Sequence, residues 1–139
     1  MAAQELGAHI RFHSSLPSAL NEMAILMTAR RWTAQYEWHA HHELALHAGL
    51  DPAIADAIAA GERPALDETT AAVYEFTAQL LESGRVADDA WDAVVRRWGR
   101  TGAIELIGTV GYYCLVSFIL NVDRYPLPDG QSDPLDPLP

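Results

Sequence analysis

The sequence predicts an all-α domain of about six helices, and three observations lead there. No stretch shows the alternation of Val, Ile and Thr that a half-buried strand needs. Asp, Gly and Pro punctuate the chain at helical intervals. Half of the 139 residues are apolar and 20% are charged, enough apolar matter for one buried core in a single domain over residues 1–139.

The first helix is expected over about 17 to 32: Pro17 follows Ser14, Ser15 and Leu16, and Leu20, Met23, Leu26, Met27 and Trp32 recur at helical spacing. A second covers about Gln35 to Ala48, with Thr33 as a cap and Gly49 at the left-handed closing position. Asp51-Pro52 opens a short helix that Gly61 closes, Asp67 and Gly84 bracket another, and Asp88 and Gly99 a fifth. The last, about 103 to 124, follows Thr101 and stops before Pro126. It is apolar nearly all round, so it is expected at the centre of the fold or at a subunit interface. The tail, 126 to 139, is too rich in Pro and Asp for regular structure and is expected as a strap or a disordered end.

Composition excludes whole classes of function. Nineteen acidic residues against nine basic ones give a net charge of −10, so nucleic acid and anionic membranes are repelled rather than gathered. Every basic residue is arginine, which removes Schiff-base lysine chemistry and the P-loop. A single cysteine, Cys114, allows neither an intrachain disulfide nor a dithiol pair and suits a reducing, cytoplasmic home. No basic region followed by an apolar run occurs in Met1 to Ser15, so no signal peptide is expected. Ala103 to Val122 contains Glu105, Gly108, Gly111 and two tyrosines without flanking basic clusters, and is read as a buried helix rather than a membrane span.

The chemistry concentrates in Tyr36-Glu37-Trp38-His39-Ala40-His41-His42-Glu43. On a helical wheel Trp38, Ala40, Leu44, Ala45 and Ala48 share an arc whose middle holds Glu37 and His41. Four residues apart, these two can meet, and a carboxylate on one imidazole nitrogen leaves the other aimed outward as an acid or base. Glu22 likewise projects from the apolar arc of the first helix, where a lone buried carboxylate would have a raised pKa and could donate a proton. Packing pairs, or bonds from Glu22 to first-turn amides, explain the same residues without catalysis. On the opposite side His39, His42, Glu43 and His47 form a stripe that could in principle bind zinc; a solvated face explains it more simply, and no metal site is expected. Cys114 has no adjacent base and reads as inert core. Arg30 and Arg31 are the nearest cations in sequence for a substrate carboxylate.

The run Ser15-Leu16-Pro17, Asn21-Glu22-Met23-Ala24-Ile25-Leu26, Ala34-Gln35-Tyr36-Glu37-Trp38, His41 and Ala48-Gly49-Leu50 resembles the carboxymuconolactone decarboxylase family, which includes the alkyl hydroperoxide reductase D-type proteins. Glu105 to Tyr113, with Asn121, is similar to that family's closing helix, so the likeness covers about residues 11 to 124. The redox branch of the family carries a glutamate, eleven residues, a Cys-x-x-Cys, three residues and a histidine. Glu22, Ala34, Glu37 and His41 stand at those places, so both cysteines are replaced and thiol peroxidase chemistry is not expected. The resemblance implies the non-redox branch, a cofactor-free decarboxylation of a small carboxylated lactone or related acid, with no metal. His41 would then be the proton donor, Glu37 its orienting partner, Glu22 a second proton carrier or a hydrogen-bonding group and Tyr36 a phenolic donor. Another proton-transfer enzyme (hydrolase, isomerase or cyclase) or a non-catalytic oligomeric module would use the same pair. The resemblance also implies a homo-oligomer, a trimer or hexamer with sites near subunit contacts. Only about ten residues precede the matching segment, which puts in question the pocket wall that extra leading helices make in many members.

Overall fold

The computed structural model describes residues 2–138. They form α1 (Ala2–Phe12), α2 (Ser18–Arg31), α3 (Gln35–His47), α4 (Pro52–Ala59), α5 (Glu68–Ser83) and α6 (Asp88–Asp123), with no strand among the described residues.

The middle four helices follow the sequence signals closely. Asp51 caps α4 by accepting from the Ala53 amide at 2.9 Å, with Pro52 in the first turn. Asp67 caps α5 by accepting from the Thr70 amide at 2.7 Å, and Gly84 closes that helix at φ 71°. One cap differs from expectation. Thr33 sits at φ 47°, so α3 starts after Ala34, which lends no side-chain cap. The Thr33 hydroxyl instead accepts from Nη2 of Arg30 at 3.0 Å.

One correction concerns the start of the chain. A helix, α1, occupies residues 2–12, ahead of the first helix expected from the sequence. It buries only Gly7 and Ile10, and its place is fixed by a few tertiary contacts. Ile10 packs with Ile25 and Tyr113. The Asn21 amide donates to the Ile10 carbonyl at 2.9 Å, and Glu105 holds the α1–α2 connection by accepting from the Ser15 hydroxyl at 2.6 Å. At Gly7 a methyl group would lie 2.5 Å from the Tyr112 hydroxyl, so glycine lets α1 approach α6. The expected break at Gly99 is present inside α6: its φ of 71° and ψ of 175° are non-helical, so the stretch ending near Trp98 and the apolar stretch that follows are two helical segments meeting across a kink.

The centre of the domain is α2, not the apolar half of α6. Every residue from Leu20 to Arg30 is buried, because α3, α4, α5 and α6 all pack around it. By length and composition α6 could cross a membrane, but one side of it packs on α1, α2 and α5. Its other side leaves Ile104, Ile107, Leu115, Phe118, Ile119 and Val122 exposed.

The tail is a strap. Leu135 is 2% exposed and belongs to the main core. The Gln35 side chain holds both sides of its backbone, donating to the carbonyl at 2.8 Å and accepting from the amide at 2.9 Å.

Candidate active site

Three helices converge on His41. It stands in the middle of α3 and is 6% exposed. Glu22 comes from α2, and its Oε2 lies 2.8 Å from His41 Nδ1. Glu37, one turn earlier on α3, places Oε2 3.4 Å from His41 Nε2, an ion-pair contact at a separation longer than a good hydrogen bond. From α6 the Tyr113 ring meets the imidazole edge-on, with centroids 5.0 Å apart.

This electrostatic arrangement settles the protonation state of His41. Burial alone would push its pKa down; hydrogen bonding to Glu22 and then Glu37, with the charge of both, overcomes that and raises it to about 9. At neutral pH the ring is therefore an imidazolium with both N–H groups directed at carboxylates. Tyr113, buried beside it, is pushed well above the ordinary phenol value, chiefly by burial, and stays a neutral hydroxyl.

The bonding of the two glutamates differs from the simplest expectation. The short bond to Nδ1 belongs to Glu22, not to Glu37. Glu22 is thus no lone carboxylate, and the first-turn amides do not satisfy it. Glu37 Oε2 is buried without a hydrogen-bond partner.

A cavity of about 350 Å³ opens at this point, lined by Glu37 and His41 from α3, Tyr112, Tyr113 and Val116 from α6, and Gln4, Gly7, Ala8, Arg11 and Phe12 from α1. Glu22 is not among the lining residues, so the Nε2 edge of the ring, with Glu37, faces the cavity. Half of the lining comes from α1, which forms one wall.

Several expected site residues stand elsewhere. Arg30 donates to the carbonyls of Ala59 (3.0 Å) and Asp136 (2.7 Å) and ties down the strap. Burial lowers its pKa and the charge of Asp136 opposes that shift. Arg31 lies 5.0 Å over the Trp32 ring. Tyr36 meets Tyr125 edge-on at 4.7 Å and lines a separate hollow of about 590 Å³ under the strap. None of the three lines the His41 cavity. Of the outer stripe, Glu43 and His47 are exposed, and no group of three metal-ligating side chains occurs among the described residues. Cys114 accepts from the Trp32 indole N–H at 3.2 Å, and its pKa is raised by burial first of all.

The residues that sequence reasoning missed are Arg11, Tyr112 and Tyr113. The tyrosines had a signal, two adjacent phenols on an otherwise apolar helix, which places at least one hydroxyl inside. Arg11 had none, because nothing in the sequence announced α1 as a wall.

No family model, no curated protein and no solved structure matches the chain.

Proposed function

We propose that the chain is a cofactor-free lyase, similar to carboxymuconolactone decarboxylases, in which His41 acts as a general acid on a small carboxylated lactone or related acid. One observation carries this reading. A buried imidazolium, held charged by Glu22 and Glu37, turns its Nε2 edge to a cavity of small-molecule size.

In such a reaction the carbon–carbon bond to the leaving carboxylate breaks and its electron pair moves into the conjugated lactone carbonyl, giving a dienolate. The proton on Nε2 of His41 passes to carbon, carbon dioxide departs, and solvent returns a proton to the ring. The resting charge of His41 suits that order of events, since the acid is loaded at neutral pH before substrate arrives. Glu22 holds Nδ1 throughout and stabilises the charged ring, a positioning role. Tyr113 borders the ring as a neutral hydroxyl that can donate to the developing oxyanion.

Homo-oligomer formation belongs to the same proposal. The exposed apolar stripe on α6 supports it, since contiguous patches of this kind on soluble domains mark interaction surfaces. Sedimentation at micromolar concentration tests it, and a purely 15.3 kDa species counts against it.

The test of the activity is a screen of small lactones and keto acids for release of carbon dioxide, followed by the pH profile of kcat/KM on any hit. A general acid with a pKa of about 9 gives a rate that is level through neutrality and falls as pH rises through that value. A profile that instead rises through pH 7 to 9 rejects His41 as the acid.

A further inference from the structure

The end of the strap is held the way a bound peptide is held. Residues 133–138 read Asp-Pro-Leu twice, so a leucine recurs after three residues. The first, Leu135, is 2% exposed and belongs to the main core. The second, Leu138, lines a hollow of about 250 Å³ with Met27, Ile58, Tyr74 and Leu81, where a methyl group on Gly61 would come within 3.1 Å of it. Between the two leucines the body of the domain reads backbone. Gln35 brackets Leu135 through its carbonyl at 2.8 Å and its amide at 2.9 Å, and Arg30, itself 5% exposed, donates to the Asp136 carbonyl at 2.7 Å. Main-chain bonds for affinity and side-chain pockets for selectivity are the parts of a peptide-binding groove.

The tether that carries this segment is long and lightly held. From Pro126 to Pro134 every residue but Leu127 is exposed. The Gln131 amide bonds locally, to the Pro128 carbonyl at 3.1 Å, and the stretch borders the hollow of about 590 Å³. Nine residues of extended chain reach about 30 Å, enough to carry the anchor to the groove of a neighbouring copy. Charge agrees, because the acidic tail is repelled by most of a chain of net charge −10, whereas Arg30 and Arg31 stand at this groove. Exchange of an identical segment costs little, since each contact is remade unchanged.

We propose that the groove formed by α2, α3, α4 and α5 is a binding site for an extended Leu-Asp-Pro-Leu segment, and that its partner in trans is the tail of a second copy of this chain. The assignment is independent of the lyase reading, since none of Arg30, Gln35 and Leu135 lines the His41 cavity. Tethering favours the cis arrangement in dilute solution, and exchange grows as the chain approaches the effective concentration of its own tail, on the order of millimolar.

Fluorescence anisotropy with a labelled peptide of residues 130–138 tests the groove. The full chain carrying Leu135→Asp, whose own tail no longer anchors, is expected to bind the peptide about tenfold tighter or more than wild type does. Gln35→Ala added to that chain is expected to remove most of the gain, and a peptide carrying Leu135→Asp to bind neither chain. Where Leu135→Asp loses cooperative melting, the unaltered peptide is expected to restore it by binding the folded state. Mixing two full-length variants tests the partner. Gln35→Ala has an intact tail and a weakened groove, Leu135→Asp the reverse, and together they are expected to form a mixed complex in sedimentation that is absent when both chains carry Leu135→Asp. No peptide binding at millimolar concentration, equal affinity of wild type and Leu135→Asp, or failure of the peptide to restore melting overturns the groove assignment. Peptide binding without a mixed complex, or a mixed complex that persists when both tails are altered, overturns the second copy as the partner.

Discussion

The two faces of α3 carry the same residue types to opposite ends. The inner face holds Glu37 and His41, both buried, with Glu22 brought against them from α2. The outer face holds Glu43 and His47, also four apart and both exposed. Spacing is therefore not what makes an acid/base unit. What separates the faces is exclusion of water and a second carboxylate, which turn the His41 pair into a fixed charge. The outer pair remains a solvated side of a helix, where an ion pair is worth little.

The largest contrast is expected in turnover. His41→Gln keeps shape and some hydrogen bonding while removing the transferable proton, and about 100-fold to 10,000-fold of rate is expected to go with it. His47→Gln is expected to stay within about twofold, as surface substitutions leave the fold intact. Rate per folded molecule, with the folded fraction taken from melting curves on the same samples, separates a chemical loss from a structural one. Equal rates per folded molecule in wild type and His41→Gln make the inner face a packing device.

Stability against pH divides the faces next. The folded pKa of His41 is raised to about 9 from the ordinary 6.5. The stability it contributes is thus fully present below about pH 6.5 and is lost as pH climbs through about 9. The linkage amounts to on the order of 3 kcal/mol, shared among Glu22 of α2, Glu37 of α3 and the ring. Denaturant unfolding at pH 6.5 and at pH 9.5 is expected to show that loss in wild type and to lack most of it in His41→Gln. A flat profile in wild type indicates that the ring is neutral at pH 7.

How much of this could be read beforehand varies by kind of interaction. Glu37 and His41 were legible because both lie on one helix, where periodicity alone puts two polar groups inside an apolar arc. Glu22 was legible as an anomaly, a carboxylate where apolar residues belong, but its bond to Nδ1 depends on how α2 crosses α3, which no local pattern encodes. The caps Asp51 and Asp67 act within three residues and were read correctly; Thr33 was not, since Arg30 draws its hydroxyl away from the helix start. The hardest feature was α1. Only Gly7 and Ile10 are buried in it, and its role as a cavity wall, with Arg11, comes from docking against Tyr112 and Tyr113 over a hundred residues away. The apolar half of α6 left two places open, the centre or a subunit interface, and the centre belongs to α2, which satisfies its polar Asn21, Glu22 and Arg30 through partners on other segments and Thr28 through the Ala24 carbonyl one turn back.

Within the inner face, the two glutamates are expected to separate by stability. Glu22→Gln replaces a charged acceptor on a 2.8 Å bond with a neutral amide, and a cost of about 1–3 kcal/mol follows from losing a buried charge-assisted bond. Glu37→Gln weakens a longer, 3.4 Å contact with the same ring, so a smaller loss is expected. Urea unfolding of both variants at pH 7 ranks them, and the opposite order places the orienting bond at Glu37.

The smallest effect is the one that tests whether burial, rather than residue type, is the deciding factor. Glu43→Gln and His47→Gln together remove a glutamate and a histidine at the same i,i+4 spacing as Glu37 and His41, on the same helix and within two turns of them. If spacing sufficed, the double variant would show a coupling energy comparable to that of the inner pair. Both outer side chains are exposed and end in water, so each change is expected to fall within about 0.5 kcal/mol, with coupling near zero and no change in the pH profile of unfolding. A measured coupling above about 1 kcal/mol would mean that the outer face also holds a fixed pair. The contrast between the faces would then be one of degree, set by solvent screening alone rather than by the carboxylate that α2 adds to the inner one.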